Sequence, residues 1–156
     1  MNSSQIDQRR STILIAPQNL YFLREILESE GYGILAAPNG EVALETISHT
    51  SPDLILLDVL MPNIDGFEVC RRLKADTATA DIPVIFITAR DEAQTIVEGF
   101  QVGGADYITK PFRMEEVLAR FKTHLGINHL TKTLAQKNAE LDHGIQVSES
   151  EASSGK

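Results

Sequence analysis

Two apolar runs without a polar interruption, Leu54-Ile55-Leu56-Leu57 and Val84-Ile85-Phe86-Ile87, set the strongest limit on what this chain can become. Each is too short for a buried helix, and neither alternates as a strand with one wet face does. Such a run marks a strand covered on both sides, as in a parallel sheet between two layers of helices. The first run follows Pro52-Asp53 and ends on Asp58, before Val59-Leu60-Met61-Pro62, so a carboxylate stands where a buried strand reaches the surface. Ligands of open parallel sheets gather at the carboxyl ends of their strands. Asp58 is therefore placed for chemistry.

Apolar runs and amphipathic stretches alternate from Ile13 to about Leu125, the pattern of repeated βα units. Strands are expected at Ile13–Ala16, Ile34–Ala37, Leu54–Asp58, Val84–Thr88 and Tyr107–Thr109. The helices between them carry apolar faces of Leu20, Leu23, Ile26 and Leu27; Ala43, Leu44 and Ile47; Phe67, Cys70 and Leu73; Ile96, Val97 and Phe100; and Met114, Val117, Leu118 and Phe121. Gly31, Ser51-Pro52 and Gly103-Gly104 stop three of them. Right-handed crossovers turn this order into a three-layer α/β sandwich, a five-stranded parallel sheet flanked by five helices.

The 156 residues, 42% hydrophobic and 23% charged, suit one domain with a proper core. A net charge of -8 argues against a nucleic-acid surface on this chain. No apolar run approaches the ~20 residues of a membrane span, and Met1–Arg10 is too polar for a secretion signal. Cys70 is the single cysteine, which excludes an internal disulfide and reads as a small buried hydrophobe. The expectation is a cytoplasmic protein without membrane contact.

Residues 1–12 read as a flexible N-terminal segment and 13–125 as the folded domain. Over 126–147, Ile127, Leu134 and Leu141 recur every seven residues with Leu130 between the first two, while Lys137 and Gly144 interrupt the pattern. A solvated trailing helix and a coiled-coil linker pairing two copies through residues 127–141 both fit. The Ser/Glu/Gly tail 148–156 cannot bury anything and reads as disordered.

Three polar residues close three different strands: Asp58, Thr88 and Lys110. In a parallel sheet those ends share one edge, where a carboxylate, a hydroxyl and an ammonium converge on a group a few ångströms across. Their types suit phosphoryl transfer to a carboxylate, with Asp58 attacking phosphorus while Thr88 and Lys110 hold the phosphoryl oxygens. Each alone is weak evidence, since a strand-end Asp is often a cap and a Lys before Pro a solvated turn.

The stretches Pro52–Asp58 with Met61-Pro62 and Asp65-Gly66, Ile85-Phe86-Ile87-Thr88-Ala89, and Gly104–Phe112 resemble the receiver domain of two-component response regulators, over about Ile13 to Leu125. The resemblance implies a flavodoxin-like fold with strand order 2-1-3-4-5 and a signalling role in a phosphorelay. It makes Asp58 the phospho-acceptor, Thr88 the switch hydroxyl, Lys110 its cationic partner and Tyr107 the aromatic that turns inward with Thr88, with small Ala89 leaving room. A strand aromatic covering the last helix is the plainer reading of Tyr107. The implied partners are a histidine kinase or phosphotransfer protein upstream and an output domain or protein downstream. No turnover enzyme activity is expected.

One departure stands out. The family usually carries two adjacent acids after the first strand, which bind Mg²⁺ together with the acceptor; here Pro17 and Gln18 occupy those positions. Gln18, Asp58 and the Leu60 carbonyl remain as donors, and a hard dication prefers carboxylates. Weakened Mg²⁺ dependence and a direct Asp58–Lys110 ion pair follow. Two readings stay open within the family: a retained but weakened acceptor, and a pseudo-receiver acting by protein contact alone.

Outside it, a haloacid-dehalogenase-like phosphatase needs a second Asp two residues after the nucleophile, where Leu60 stands. A flavodoxin-type nucleotide site needs a glycine-rich cradle that Ala16-Pro17-Gln18-Asn19-Leu20 does not offer. His49, His124, His129 and His143 form neither a phosphotransfer motif nor a zinc cluster.

Overall fold

A computed structural model describes residues 11–126, with the side chains of all but Gln18, Asn19 and Tyr21. The N-terminal segment up to residue 10, the linker beyond Gly126 and the tail 148–156 lie outside the described residues. The compact unit that carries the site closes at Leu125.

Five strands, β1 (Thr12–Ala16), β2 (Gly33–Ala36), β3 (Leu54–Leu57), β4 (Val84–Thr88) and β5 (Asp106–Thr109), form one sheet. Every neighbour pair is parallel, in the order β2-β1-β3-β4-β5. The helices are α1 (Arg24–Ser29), entered through a 3₁₀ turn at Gln18–Leu23, α2 (Gly40–Thr50), α3 (Gly66–Ala75), α4 (Ala93–Gln101) and α5 over residues 114–126. Asn39 and Asp65 start α2 and α3 by accepting the amides of Val42 and Glu68, each at 2.9 Å.

The two covered faces explain the unbroken apolar runs. On one side Leu14, Ala16, Ile55, Leu57, Val84 and Phe86 pack with Ala43 and Ile47 of α2 and with Phe67, Val69, Cys70 and Leu73 of α3. On the other, Ile13, Ile15, Leu54, Leu56, Ile85, Ile87 and Ile108 pack with Leu20, Leu23, Leu27 and, from α5, Val117 and Phe121. Alternate residues of β3 and β4 serve opposite cores, so both strands run apolar as far as Thr88 at the end of β4. Cys70 is buried as expected, and burial pushes its thiol up to about 11.

Two helical faces differ from expectation. Ile26 of α1 is 42% exposed, because Leu20, Leu23 and Leu27 already fill the seam against the sheet. In α4 the side turned inward is Thr95 and Gly99, with Ile96 half-buried, while Val97 and Phe100 stand 51% and 49% exposed. The helix approaches the sheet where it has no side chain, and its larger apolar residues fall on the outer side.

Candidate functional site

β3 stops at Leu57, and the Asp58 amide continues the ladder by donating to the Ala16 carbonyl at 2.9 Å. That bond fixes Asp58 at the sheet edge with only 5% of its surface exposed. Its carboxylate is satisfied on both oxygens: the Leu60 amide donates to Oδ1 at 3.0 Å and the Lys110 ammonium to Oδ2 at 3.2 Å. Lys110 is brought there by the neighbouring ladder, where its own amide donates to the Thr88 carbonyl at 2.9 Å. The expected direct ion pair is present.

Close backbone approach shapes the loop around the aspartate. The Gly66 amide donates to the Val59 carbonyl at 2.9 Å, and a Cβ at Gly66 would collide with the Asp58 carbonyl oxygen. Only glycine lets the start of α3 lie against this loop. Leu60 projects outward, 53% exposed.

Thr88 closes β4 fully buried, and its hydroxyl oxygen has no hydrogen-bond partner among the described residues. Leaving a buried hydroxyl unpaired is unfavourable, and such groups concentrate where function requires them. Ala89, next along, is exposed. Tyr107 is 8% exposed and belongs to the core beside Phe86, with ring centroids 6.0 Å apart, so it does not cover the last helix. Its hydroxyl donates to the Arg90 carbonyl at 2.8 Å, two residues beyond Thr88. Burial pushes the Tyr107 phenol above its ordinary range.

The structure thus gathers Asp58 and Lys110 in contact at one edge, with Thr88 bonded to Lys110 through the backbone. Pro17 lies half-buried just past β1. Among the described residues no group of three acidic, His or Cys side chains could hold a metal ion.

Sequence reasoning missed a cluster beside Tyr107. Arg120 Nη1 donates to both oxygens of Asp106, at 2.8 and 2.7 Å, and the His124 ring lies 3.0 Å from Oδ2. The Tyr107 amide adds a fourth bond to Oδ1 at 2.8 Å. Burial pushes the Asp106 carboxyl up, but the bonds from His124, Arg120 and Tyr107 outweigh it and hold the group below its ordinary value. The spacing of Arg120 and His124, one helical turn apart, was the available signal.

The sequence that builds this edge matches a known family. Residues 16–122 match the response regulator receiver domain. The chain belongs to the response regulator receiver family. The receiver domain is 46% identical over 99 residues to the DNA-binding dual master transcriptional regulator RpaA of Synechocystis, covering 64% of this chain and 41% of that protein. It is 48% identical over 99 residues to the phosphate regulon transcriptional regulatory protein PhoB of Pseudomonas aeruginosa, covering 64% and 43%. The chain therefore spans about two fifths of the length of these relatives. Among solved structures, a putative response regulator from Chloroflexus aurantiacus superposes with a TM-score of 0.71 at 33% identity, covering 76% of this chain and 99% of that one. The receiver domain of a signal transduction histidine kinase from Syntrophus aciditrophicus superposes at 0.68 with 37% identity, covering 74% and 90%. Membership sets the phosphatase reading aside. Among the described residues no helix is long and apolar enough to cross a membrane.

Proposed function

We propose that Asp58 is the phosphoryl acceptor of this receiver domain, and that its use depends only weakly on Mg²⁺. The observation that carries this reading is the buried Asp58 carboxylate paired with Lys110 on an edge that also holds the Thr88 hydroxyl, unpaired among the described residues. An Asp58 oxygen attacks phosphorus, the donor's leaving group departs with the bonding electron pair, and an aspartyl phosphate remains. Lys110 transfers its attraction from the carboxylate to a phosphoryl oxygen. Thr88 donates a hydrogen bond from its hydroxyl to another, which draws the loop carrying Ala89 and Arg90 toward the acceptor and shifts the Arg90 carbonyl that the inward Tyr107 hydroxyl is bonded to. The surface of α4, β5 and α5 changes in consequence.

The donor set does not fit a tightly held dication. Besides the Asp58 carboxylate, the donors left by residue type are the Leu60 carbonyl and Gln18, both neutral, and hard cations draw their affinity from several anionic oxygens. Lys110 is left as the cation that offsets the incoming charge, so labelling is slow and tolerates a chelator. The same shortage favours a second reading, a pseudo-receiver that signals by contact without modification.

The donor is then a histidine kinase or phosphotransfer protein, in the cytoplasm, and the readout is a downstream output domain or partner; this chain itself turns over no substrate. Residues 13–125 make up the receiver and 126–147 a linker, with pairing of two copies through 127–141 tested by sedimentation of the chain with and without residues 126–156. The central test is intact mass after incubation with a small acyl phosphate, with and without Mg²⁺, beside Asp58→Asn. A gain of one phosphoryl group that needs Asp58 and survives chelation supports the first reading. No gain from either small donors or kinases leaves the pseudo-receiver.

A further inference from the structure

Tyr107 sits on the edge strand β5, where a side chain can turn to solvent, yet its ring is inside while Asp58 is paired with Lys110. Its seat has two parts. The hydroxyl is held by the Arg90 carbonyl at 2.8 Å. The ring edge lies against Gly99, where a Cβ would stand 3.0 and 3.2 Å from Cδ2 and Cε2 of Tyr107, and 3.3 Å from Cδ2 of Phe86.

Gly99 lies inside α4, and its φ is not among the positive ones, so the backbone does not require glycine there. Glycine weakens a helix interior relative to alanine, so its presence needs another cause. Space is that cause, because a methyl group would press on the edge of the Tyr107 ring. The same absence accounts for the exposed Val97 and Phe100: α4 presents Gly99 inward and its bulk outward.

We propose that Gly99 is a positioning residue, its missing side chain forming the seat that holds the Tyr107 ring inward before any change at Asp58. Through the Tyr107–Arg90 bond the seat also fixes the loop that follows Thr88, so Gly99 sets the resting position of the switch. The role in switching rests on the reading of Tyr107 as the switch aromatic; the seat itself is measured without phosphorylation, so a failure to label Asp58 and a failure of the seat are distinguishable.

The test uses the full chain labelled with fluorotyrosine, whose 3 tyrosines give separable ¹⁹F resonances, Tyr107 being assigned by its loss in Tyr107→Phe. Gly99→Ala is expected to raise the solvent isotope shift of the Tyr107 resonance at least two-fold and to leave Tm unchanged or lower. In a Tyr107→Ala background, with the ring gone, the same substitution is expected to raise Tm by about 4 °C, because alanine is the better helix residue. Should Gly99→Ala alone fail to fold, folding of the double variant supports the seat equally. An unmoved Tyr107 resonance, a Tm change of the same sign in both backgrounds, or failure of both variants to fold overturns the proposal.

Discussion

Lys110 Nζ and Asp58 Oδ2 meet at 3.2 Å across the ends of β5 and β3, 52 residues apart in sequence. Asp58 is nearly covered while Lys110 keeps 32% of its side chain exposed, so the pair is only partly shielded from water. Removing one partner of such a pair leaves a desolvated charge behind. Lys110→Met is expected to lower stability by about 1–3 kcal/mol, and Asp58→Asn combined with Lys110→Met to recover part of that loss. Urea unfolding of the two single variants and the double variant checks the cycle, and additive losses would show that the two groups do not interact.

Restoring carboxylates at positions 17 and 18 places three anions on one edge. Without a dication, Pro17→Asp with Gln18→Asp is expected to melt below the parent through like-charge repulsion. With Mg²⁺ at about a hundred-fold excess over its dissociation constant, the double variant should gain about 2–3 kcal/mol, while the parent should barely respond. Thermal melts with and without Mg²⁺ measure this directly, and equal responses would remove the account of weak metal dependence given above.

Gly66 is the point where α3 touches the loop after β3, with room for no Cβ beside the Asp58 carbonyl. Gly66→Ala is expected to cost about 1–3 kcal/mol by overpacking and to lower phosphodonor labelling by shifting Asp58 away from Lys110. Chemical denaturation and intact mass report the two effects separately; an alanine tolerated in both would mean the loop yields freely.

The Asp106 cluster makes a pH prediction. Its carboxyl lies below the ordinary value because the bonds from His124, Arg120 and Tyr107 outweigh burial. A depressed folded value means the unfolded chain binds the proton more readily, so Asp106 contributes stability above the ordinary carboxylate pKa of 3.8. That contribution declines as pH falls through this value toward the folded one. The urea midpoint of the parent should therefore drop more steeply between about pH 5 and pH 3 than that of Asp106→Asn. Parallel curves for the two proteins would show that the cluster carries no such linkage.

Much of the site was legible before any coordinates. Asp58, Thr88 and Lys110 each follow an apolar run, and parallel strands bring such positions to one edge whatever the details of packing. The register then does what periodicity cannot: Thr88 pairs with Thr109, and this places Lys110 one residue beyond, bonded to the Thr88 carbonyl. The apolar face of α4 was misread because a residue without a side chain, Gly99, gives no hydrophobic signal, although it lies against Tyr107 and Phe86. The partner of the Tyr107 hydroxyl is the backbone carbonyl of Arg90, a group every residue possesses and no pattern announces.

The sequence by itself determined the sheet, its doubly covered strands, the family and the carboxylate that ends the third strand, because these depend on the order of apolar runs and on residue types at their ends. It also determined that Pro17 and Gln18, neither of them acidic, follow the first strand. Only the tertiary structure decided that Asp58 is neutralised by Lys110, that the Thr88 hydroxyl is buried without a described partner, and that Tyr107 rests inward over Gly99. Those are distances between residues far apart in the chain, set by how closely helices can approach the sheet, and the approach is governed by the side chains that are missing as much as by those present.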